Sequence, residues 1–291
     1  FAIIVPFVSN YDVQFRDGYY RTVLPKSKTF AQFGFWDGSK THRESQAGYD
    51  YFRAIGVETG REVVKKITDE TKDAAGITYY TLKVDSYAKV GFVYVNLTAD
   101  GFQKLQEYQN ETGIQVIYPL QESYRVNYVM GNMGANLWYK LADPRSTSDG
   151  RALFDENGNF MHNYMTTANK NHAGYDSLRL PNDTGGEDGE SWFVYGQRNQ
   201  SGYKVRVDYY EYFKYTNGFD PIFLFGTNAH DQDIFTCLAA GARLSFLLAI
   251  TVSLINFTLG AIYGAIEGYY GGVTDMIMER IAEVLGSVPF I

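Results

Sequence analysis

Cysteine is nearly absent: Cys237 is the one cysteine in 291 residues. No disulfide can close within the chain, and no cysteine zinc cluster can be assembled from it. Histidine is almost as scarce. His42, His162, His172 and His230 are scattered, and no two stand at metal-ligand spacing. The Gly-x-Ser-x-Gly elbow, the His-Glu-x-x-His zinc pattern and the phosphate-cradling Gly-x-x-x-x-Gly-Lys-Ser/Thr loop are all missing. A basic surplus is missing too: 26 Lys+Arg against 33 Asp+Glu leave a net charge of −7, which argues against nucleic acid as a partner. The expectation is a chain that hydrolyses nothing itself and carries no cofactor and no metal.

Charge is missing from one place in particular. Residues 244–266 contain no charged side chain, whereas residues 11–233 are polar, charged and rich in the chain's 25 tyrosines. As a helix, 23 uncharged residues reach about 35 Å, against a hydrocarbon core of about 30 Å. This predicts a membrane span over about 244–266. Within and after it comes GAIYGAIEGYYGG. Gly260, Gly264 and Gly268 recur every fourth residue beside Ala261 and Ala265, a small-residue strip that lets another membrane helix approach closely. Tyr269 and Tyr270 suit a membrane–water interface, and Gly271-Gly272 supplies the left-handed residues that stop a helix. The following VTDMIMERIAEVLGSVPFI reads as an amphipathic start of a further span, about 275–291, with Thr274 as N-cap. At the other end, Phe1–Val8 is too short to span a bilayer. Residues 1–10 read as the end of a first span, and the chain as an internal fragment of a longer protein.

Between these elements lies an inserted α/β (α+β) domain, residues 11–221. VGFVYVNL (90–97) reads as a buried strand. Thr98 caps a helix with Phe102, Leu105 and Tyr108 on one side, Gly113 ends it, and IQVIYPL (114–120) is the next strand, giving a βαβ-like or split α/β unit. ITYYTLKVDSY (77–87) is another strand. GYKVRVDYYEYF (202–213) is read as a strand with one wet face. Asn157-Gly158 marks a hairpin within 154–164, and 177–191 is a loop carrying Glu187, Asp188 and Glu190. Asp155, Asn157 and Asn159 alternate as in a calcium loop, but residue 165 is Met where a closing glutamate belongs. The tyrosines either offer a protein- or peptide-contacting surface or pack inside the domain; the sequence leaves both open.

Four blocks in residues 222–291 resemble permease subunits of oligopeptide/dipeptide ABC importers, of the OppC/DppC kind. The family pattern runs GTD-x-x-GRD, then GAR-[IL]-S, a span, GYYGG, and an amphipathic segment ending in SIPF. Gly226, Thr227 and Asp233 match the first block, and Gly241, Ala242, Arg243 and Ser245 the second. Gly268, Tyr269, Tyr270, Gly271 and Gly272 match the third, and Val288, Pro289 and Phe290 the last. Asn228, Asp231 and Gln232 depart from it where Asp, Gly and Arg are usual. The resemblance implies an α-helical polytopic membrane protein, a type I ABC importer permease fragment, in the plasma membrane, with the insert extracytoplasmic. It implies a second permease subunit, two cytoplasmic ATPase subunits and an extracytoplasmic peptide-binding protein as partners. It covers about a quarter of the chain and says nothing about the insert. The rival expectations are a membrane-anchored sensor or adhesin and a nickel-type permease of the same superfamily.

Overall fold

The computed structural model describes residues 4–5, 9–121, 135–136, 153–162, 164–178 and 192–287. Of the segment read as the end of a first span, only Ile4, Val5, Ser9 and Asn10 are among them. The acidic residues Glu187, Asp188 and Glu190 lie outside the described residues, as do 179–191 of the expected loop and the block residues Val288, Pro289 and Phe290. The chain forms two compact units, Gln14–Phe235 on one hand and Phe1–Val13 with Thr236–Ile291 on the other.

After a 3-10 turn at Gly18–Tyr20, the larger unit forms a four-residue helix, α1 (Lys28–Ala31), capped by Ser27. Then follow β1 (Ser39–Ser45), α2 (Gln46–Thr59), β2 (Val64–Lys72) and β3 (Thr78–Asp85). β1 and β2 both pair antiparallel with β3, in the order β1-β3-β2, so they run parallel to each other with α2 as the crossover. The same device recurs. β4 (Phe92–Leu97) leads into α3 (Ala99–Thr112) and β5 (Ile117–Tyr118). β6 (Thr166–Thr167), β7 (Tyr175–Leu178), β8 (Trp192–Asn199) and β9 (Gly202–Asp208) follow. β4 and β5 both pair antiparallel with β9, Val207 meeting Val93 on one side and Ile117 on the other. Both crossover helices have 14 residues, and both end on a left-handed glycine, Gly60 and Gly113. The unit is therefore a split β-α-β fold used twice, with β6, β7 and β8 added to the second sheet.

Thr98 caps α3 through the Gly101 amide at 3.1 Å. The helix buries Phe102 and Leu105 against Val93, Ile117, Val205 and Val207. α2 buries Phe52, Ala54 and Ile55 against Leu82 and Val84 of the first sheet and Phe92 of β4. Each large side chain so buried is worth about 1.5–3 kcal/mol, which is what holds each helix on its sheet. Of the tyrosines, Tyr20, Tyr87, Tyr118 and Tyr195 are buried core residues of this unit, whereas Tyr19 is half exposed.

Two local readings are corrected, at 202–213 and at Thr274. The stretch 202–213 is not one strand with a wet face: β9 stops at Asp208, its last four residues are all buried, and α4 (Tyr209–Asn217) begins at once with Asp208 as its N-cap. Asp208 both ends a strand and caps a helix, through the Tyr210 amide at 3.1 Å, and Arg61 grips its carboxylate. The hairpin at Asn157-Gly158 forms, with Phe154 bridged to Phe160, but Asp155 spends its oxygens closing it. They accept from the Asn157 and Asn159 amides, both at 2.8 Å, and from the Asn159 side chain at 2.9 Å. A calcium ion would have to break this closure. Thr274 is not an N-cap, because its helix starts two residues earlier.

α5 (Ile234–Tyr270) is a single helix of 37 residues, in the smaller unit from Thr236 onward, and α6 (Gly272–Ser287) follows. The expected 244–266 run is thus the middle of a longer helix. Its apolar side chains are exposed along the whole run, Leu244, Phe246, Leu254 and Phe257 among them. A soluble core helix would bury that surface; a helix surrounded by lipid or partner helices would not. α5 ends as expected: Gly271 and Gly272 both have positive φ, 51° and 60°, and the Gly271 amide reaches the Glu267 carbonyl at 3.1 Å. The Tyr263 hydroxyl donates to the Met278 carbonyl at 2.5 Å, tying α6 back to α5 across this turn.

Candidate functional site

The first motif block is a short hairpin in the larger unit, leading directly into α5. Thr227 bridges Asp233 in antiparallel register, and Asn228 caps the turn between them. The Asn228 side-chain oxygen accepts from the His230 amide at 2.8 Å and the Gln232 amide at 3.0 Å. Asp233 is buried and directly precedes Ile234, the first residue of α5.

Gly226 and Thr227 fasten this hairpin to the segment 20–25. Gly226 has φ +75°, and a Cβ built there would lie 2.2 Å from the Val23 carbonyl oxygen. Only glycine permits that approach. The buried Thr227 hydroxyl donates to the Tyr20 carbonyl at 2.5 Å and accepts from the Val23 amide at 3.0 Å. Residues 17–25 and 226–233 are thus joined by backbone and side chain together. On the 17–25 side, the Asp17 carboxylate caps Tyr19 and Tyr20 and accepts from the Tyr209 hydroxyl at 2.6 Å. Burial raises its pKa above the ordinary carboxylate value, against the pull of that tyrosine hydrogen bond.

The three departures from the family pattern each have a physical reading here. Asp231 has φ +66°, a left-handed position that glycine occupies freely and that aspartate tolerates better than most residues. Its carboxylate also lies 3.6 Å from Arg21. Asn228 and Gln232 face one another, the amide nitrogen of Asn228 donating to Gln232 Oε1 at 3.3 Å. An Asp and an Arg at these two positions would form an ion pair in the same place. In this chain the contact is an uncharged amide–amide hydrogen bond. Asn228→Asp keeps the turn-capping oxygen and is expected to change stability by only a few tenths of a kcal/mol, whereas Asn228→Ala costs about 1 kcal/mol. Chemical denaturation of the two variants checks this.

Gly241, Ala242, Arg243 and Ser245 lie on α5, and the Ser245 hydroxyl donates back to the Gly241 carbonyl at 3.0 Å. Further along the same helix, Cβ atoms built at Gly260, Gly264 and Gly268 meet nothing within 4 Å. The strip is open, flat and without a packing neighbour among the described residues. Tyr269 and Tyr270 are exposed, with their rings edge to face at 5.1 Å. Among the described residues no three His, Cys, Asp or Glu side chains converge as a metal site. One group of motif residues shapes the entrance to α5, and the other lines its exposed surface.

A segment of 66 residues is 50% identical to the oligopeptide transport system permease protein OppC of Haemophilus influenzae, covering 23% of this chain and 21% of that protein. This segment is OppC/DppC-like permease sequence. The dipeptide transport system permease protein DppC of Bacillus subtilis is 45% identical over 67 residues, again 23% of this chain and 21% of the relative. The inner membrane ABC transporter permease protein YejE of Escherichia coli is 34% identical over 64 residues, 22% of this chain and 19% of that protein. The chain spans about a fifth of the length of these OppC and DppC relatives. No family profile and no solved structure matches it. The relatives are membrane permeases, in keeping with a membrane location for the exposed apolar α5.

Two features of the site escaped sequence reasoning. The role of Thr227 as a clamp onto residues 20–23 depends on a partner about 200 positions away. The left-handed Asp231 was visible only as a departure from a pattern. The signal that could have found it was already there, because a position where glycine is usual is often one that needs positive φ.

Proposed function

We propose that this chain is part of a transmembrane permease subunit of an ATP-driven peptide importer of the oligopeptide/dipeptide type. The observation that carries the reading is α5: a 37-residue helix with an exposed apolar surface, entered through one OppC/DppC block and left through another. In this reading the protein is multi-pass. Residues 1–10 end one span, 244–266 form the next, and 275–291 begin a third. Residues 11–221 are an inserted domain on the extracytoplasmic side. The open strip at Gly260, Gly264 and Gly268 receives a helix of the same or a second permease subunit, since small residues let membrane helices approach within backbone contact. Transport proceeds by alternating access, the packed helices rocking between two arrangements. Two cytoplasmic ATPase subunits supply the energy and an extracytoplasmic peptide-binding protein delivers the cargo.

The sidedness has a direct test. With Cys237 replaced by serine, Val57→Cys on the larger unit is expected to react with a membrane-impermeant maleimide in intact cells. Glu279→Cys on α6 is expected to react only after the membrane is opened. Labelling of both positions, or of Glu279→Cys alone, in intact cells contradicts the proposed topology. The packing strip has its own test. Gly264→Leu fills the approach surface, and a Cβ there meets nothing within 4 Å among the described residues, so the chain is expected to insert normally. Recovery of a second permease subunit on affinity purification is expected to fall several-fold; unchanged recovery would mean that the strip faces lipid or a helix of its own subunit.

A further inference from the structure

Resting on the peptide reading above, we propose that the groove between α2 and β2 of the larger unit binds the C-terminal end of a short peptide, its carboxylate on Arg53 and an apolar side chain on the strand. The groove follows from the register of the first sheet. Val64 pairs with Val84 and Ile67 with Leu82, so the four share one face. Leu82 and Val84 are buried under α2, but β2 is an edge strand, and Ile67 stays 44% exposed. Across from it, Tyr49, Arg53, Gly56 and Val57 recur along one side of α2, and Val57 is 53% exposed. A Cβ on Gly56 would lie 2.9 Å from the Arg61 carbonyl oxygen, so the helix wall carries no side chain there. Helix and strand together border about 550 Å³, within the range of small-ligand sites.

The charges around the groove single out one residue. Arg61 is held by Asp208 and by Glu211 at 3.3 Å, and Lys65 reaches Asp85 at 3.2 Å. Glu62 and Lys66 make no ion pair among the described residues, and their charges offset one another. Arg53 is left as the unmatched cation. Its guanidinium lies 3.9 Å from the centre of the Phe154 ring, and Nη2 donates to the Gly158 carbonyl at 3.1 Å. The hairpin at 154–160 therefore holds Arg53 in place without neutralising it.

A positioned arginine with donors to spare suits a planar carboxylate, which it can take in two-pronged fashion. One unmatched positive charge fits one carboxylate better than a doubly charged phosphate. A peptide C-terminus brings that carboxylate together with a neighbouring side chain, which matches Arg53 beside the exposed Val57 and Ile67. The ligand is held by side chains rather than as an added strand, because register shifts at Val64/Lys66 and Ile67/Asp69 break the edge of β2. Holding the arginine in advance also limits the ordering cost of binding.

The test is isothermal titration of the full chain in detergent micelles, with empty micelles as the blank. The probe is acetyl-Ala-Ala-Leu, carrying either a free C-terminal carboxylate or a C-terminal amide. The acid is expected to bind about ten- to a hundredfold more tightly than the amide, as for a hydrogen bond to a charged group. Arg53→Met is expected to abolish that preference. Val57→Trp, which fills the groove from an exposed position one turn along, is expected to weaken acid and amide alike several-fold. Lys72→Met, which removes an exposed charge elsewhere on β2, is expected to change neither. A preference that survives Arg53→Met, or no binding of either peptide, overturns the proposal. Should Arg53→Met loosen the hairpin, Val57→Trp still decides, since unchanged affinity for the acid overturns it too. Octanoate bound as tightly as the peptide acid overturns the assignment to peptide in favour of any apolar carboxylate. If the acid preference is absent while deleting the gene abolishes peptide uptake, the groove alone is overturned. If the preference is present without gene-dependent uptake, the permease reading fails and the groove stands.

Discussion

Arg206→Met is expected to destabilise the larger unit by about 3–5 kcal/mol, the usual cost of stranding one partner of a buried ion pair. Arg206 is fully buried on β9 and faces Glu58 of α2 in a two-pronged bond, Nη1 to Oε1 at 2.7 Å and Nη2 to Oε2 at 3.0 Å. Nη1 also donates to the Pro119 carbonyl at 3.1 Å, the Tyr164 hydroxyl donates to Glu58 at 2.8 Å, and the guanidinium lies 3.7 Å from the centre of the Phe92 ring. Burial pulls the arginine pKa down, but Glu58 outweighs it and the net direction is up, so the guanidinium stays charged. Burial pushes the Tyr164 phenol well up, with Glu58 adding to the shift, so it remains a neutral donor.

Methionine replaces none of the arginine's bonds and leaves the Glu58 carboxylate buried without its counter-charge, although Tyr164 still donates to it. The pair also joins the two split β-α-β units, so its loss should loosen one against the other. Glu58→Leu with Arg206→Met is expected to recover most of the loss, because two apolar groups need no partners. The remainder belongs to the orphaned Tyr164 hydroxyl and Pro119 carbonyl, about 1–3 kcal/mol each if nothing replaces the bond. Amide exchange of β9 in the detergent-solubilised chain measures all of these. A single-variant cost below about 1 kcal/mol would mean that the pair is hydrated rather than buried.

Gly226→Ala is expected to be nearly as damaging, although it adds one methyl group. Left-handed φ costs an alanine about 1–2 kcal/mol. The new Cβ also falls 2.2 Å from the Val23 oxygen, with Leu24 and Pro25 backbone atoms at 3.2 Å. None of these is a flexible side chain, so the backbone of 23–25 must move and take the Thr227 clamp with it, adding about 1–3 kcal/mol for unmet polar groups. Gly241→Ala is the control. It stands in the second block, its Cβ meets nothing within 4 Å, and it lies inside α5, where alanine is better than glycine by about 1 kcal/mol. Limited proteolysis of the 14–235 unit is expected to accelerate sharply for Gly226→Ala and to stay unchanged for Gly241→Ala. Equal rates would refute the idea that the first block is an anchor for the hairpin that enters α5.

The parts of the fold that were legible in the sequence are those closed by local chemistry. Thr98, Gly113, Asn157-Gly158 and Gly271-Gly272 each announce a cap or turn through a backbone demand that only a few residues meet. The strand at 90–97 was legible because it is a continuous apolar run. β1 and β2 were not. SKTHRES and VKKITDETK are charged edge strands, stabilised by pairing with β3 and left largely in water, and β2 carries register shifts at Val64/Lys66 and Ile67/Asp69. Lysines and bulges on an edge guard it against further pairing, and they also erase the period-two signal. The burial of Arg206 was illegible for a different reason, since its partner Glu58 is 148 residues away. At the candidate site, the blocks were legible as a pattern, but not that one set anchors a hairpin while the other stays exposed.

The central claim, that this chain belongs to a peptide-importing permease, is tested most directly by uptake. Cells lacking the gene are given a radiolabelled dipeptide or oligopeptide, then complemented with the full-length gene or with its Gly264→Leu form. The account predicts that uptake disappears in the deletion, returns with the unmodified gene, and returns several-fold less with Gly264→Leu at equal membrane abundance. Peptide uptake that is the same with and without the gene, for every peptide length offered, would contradict it.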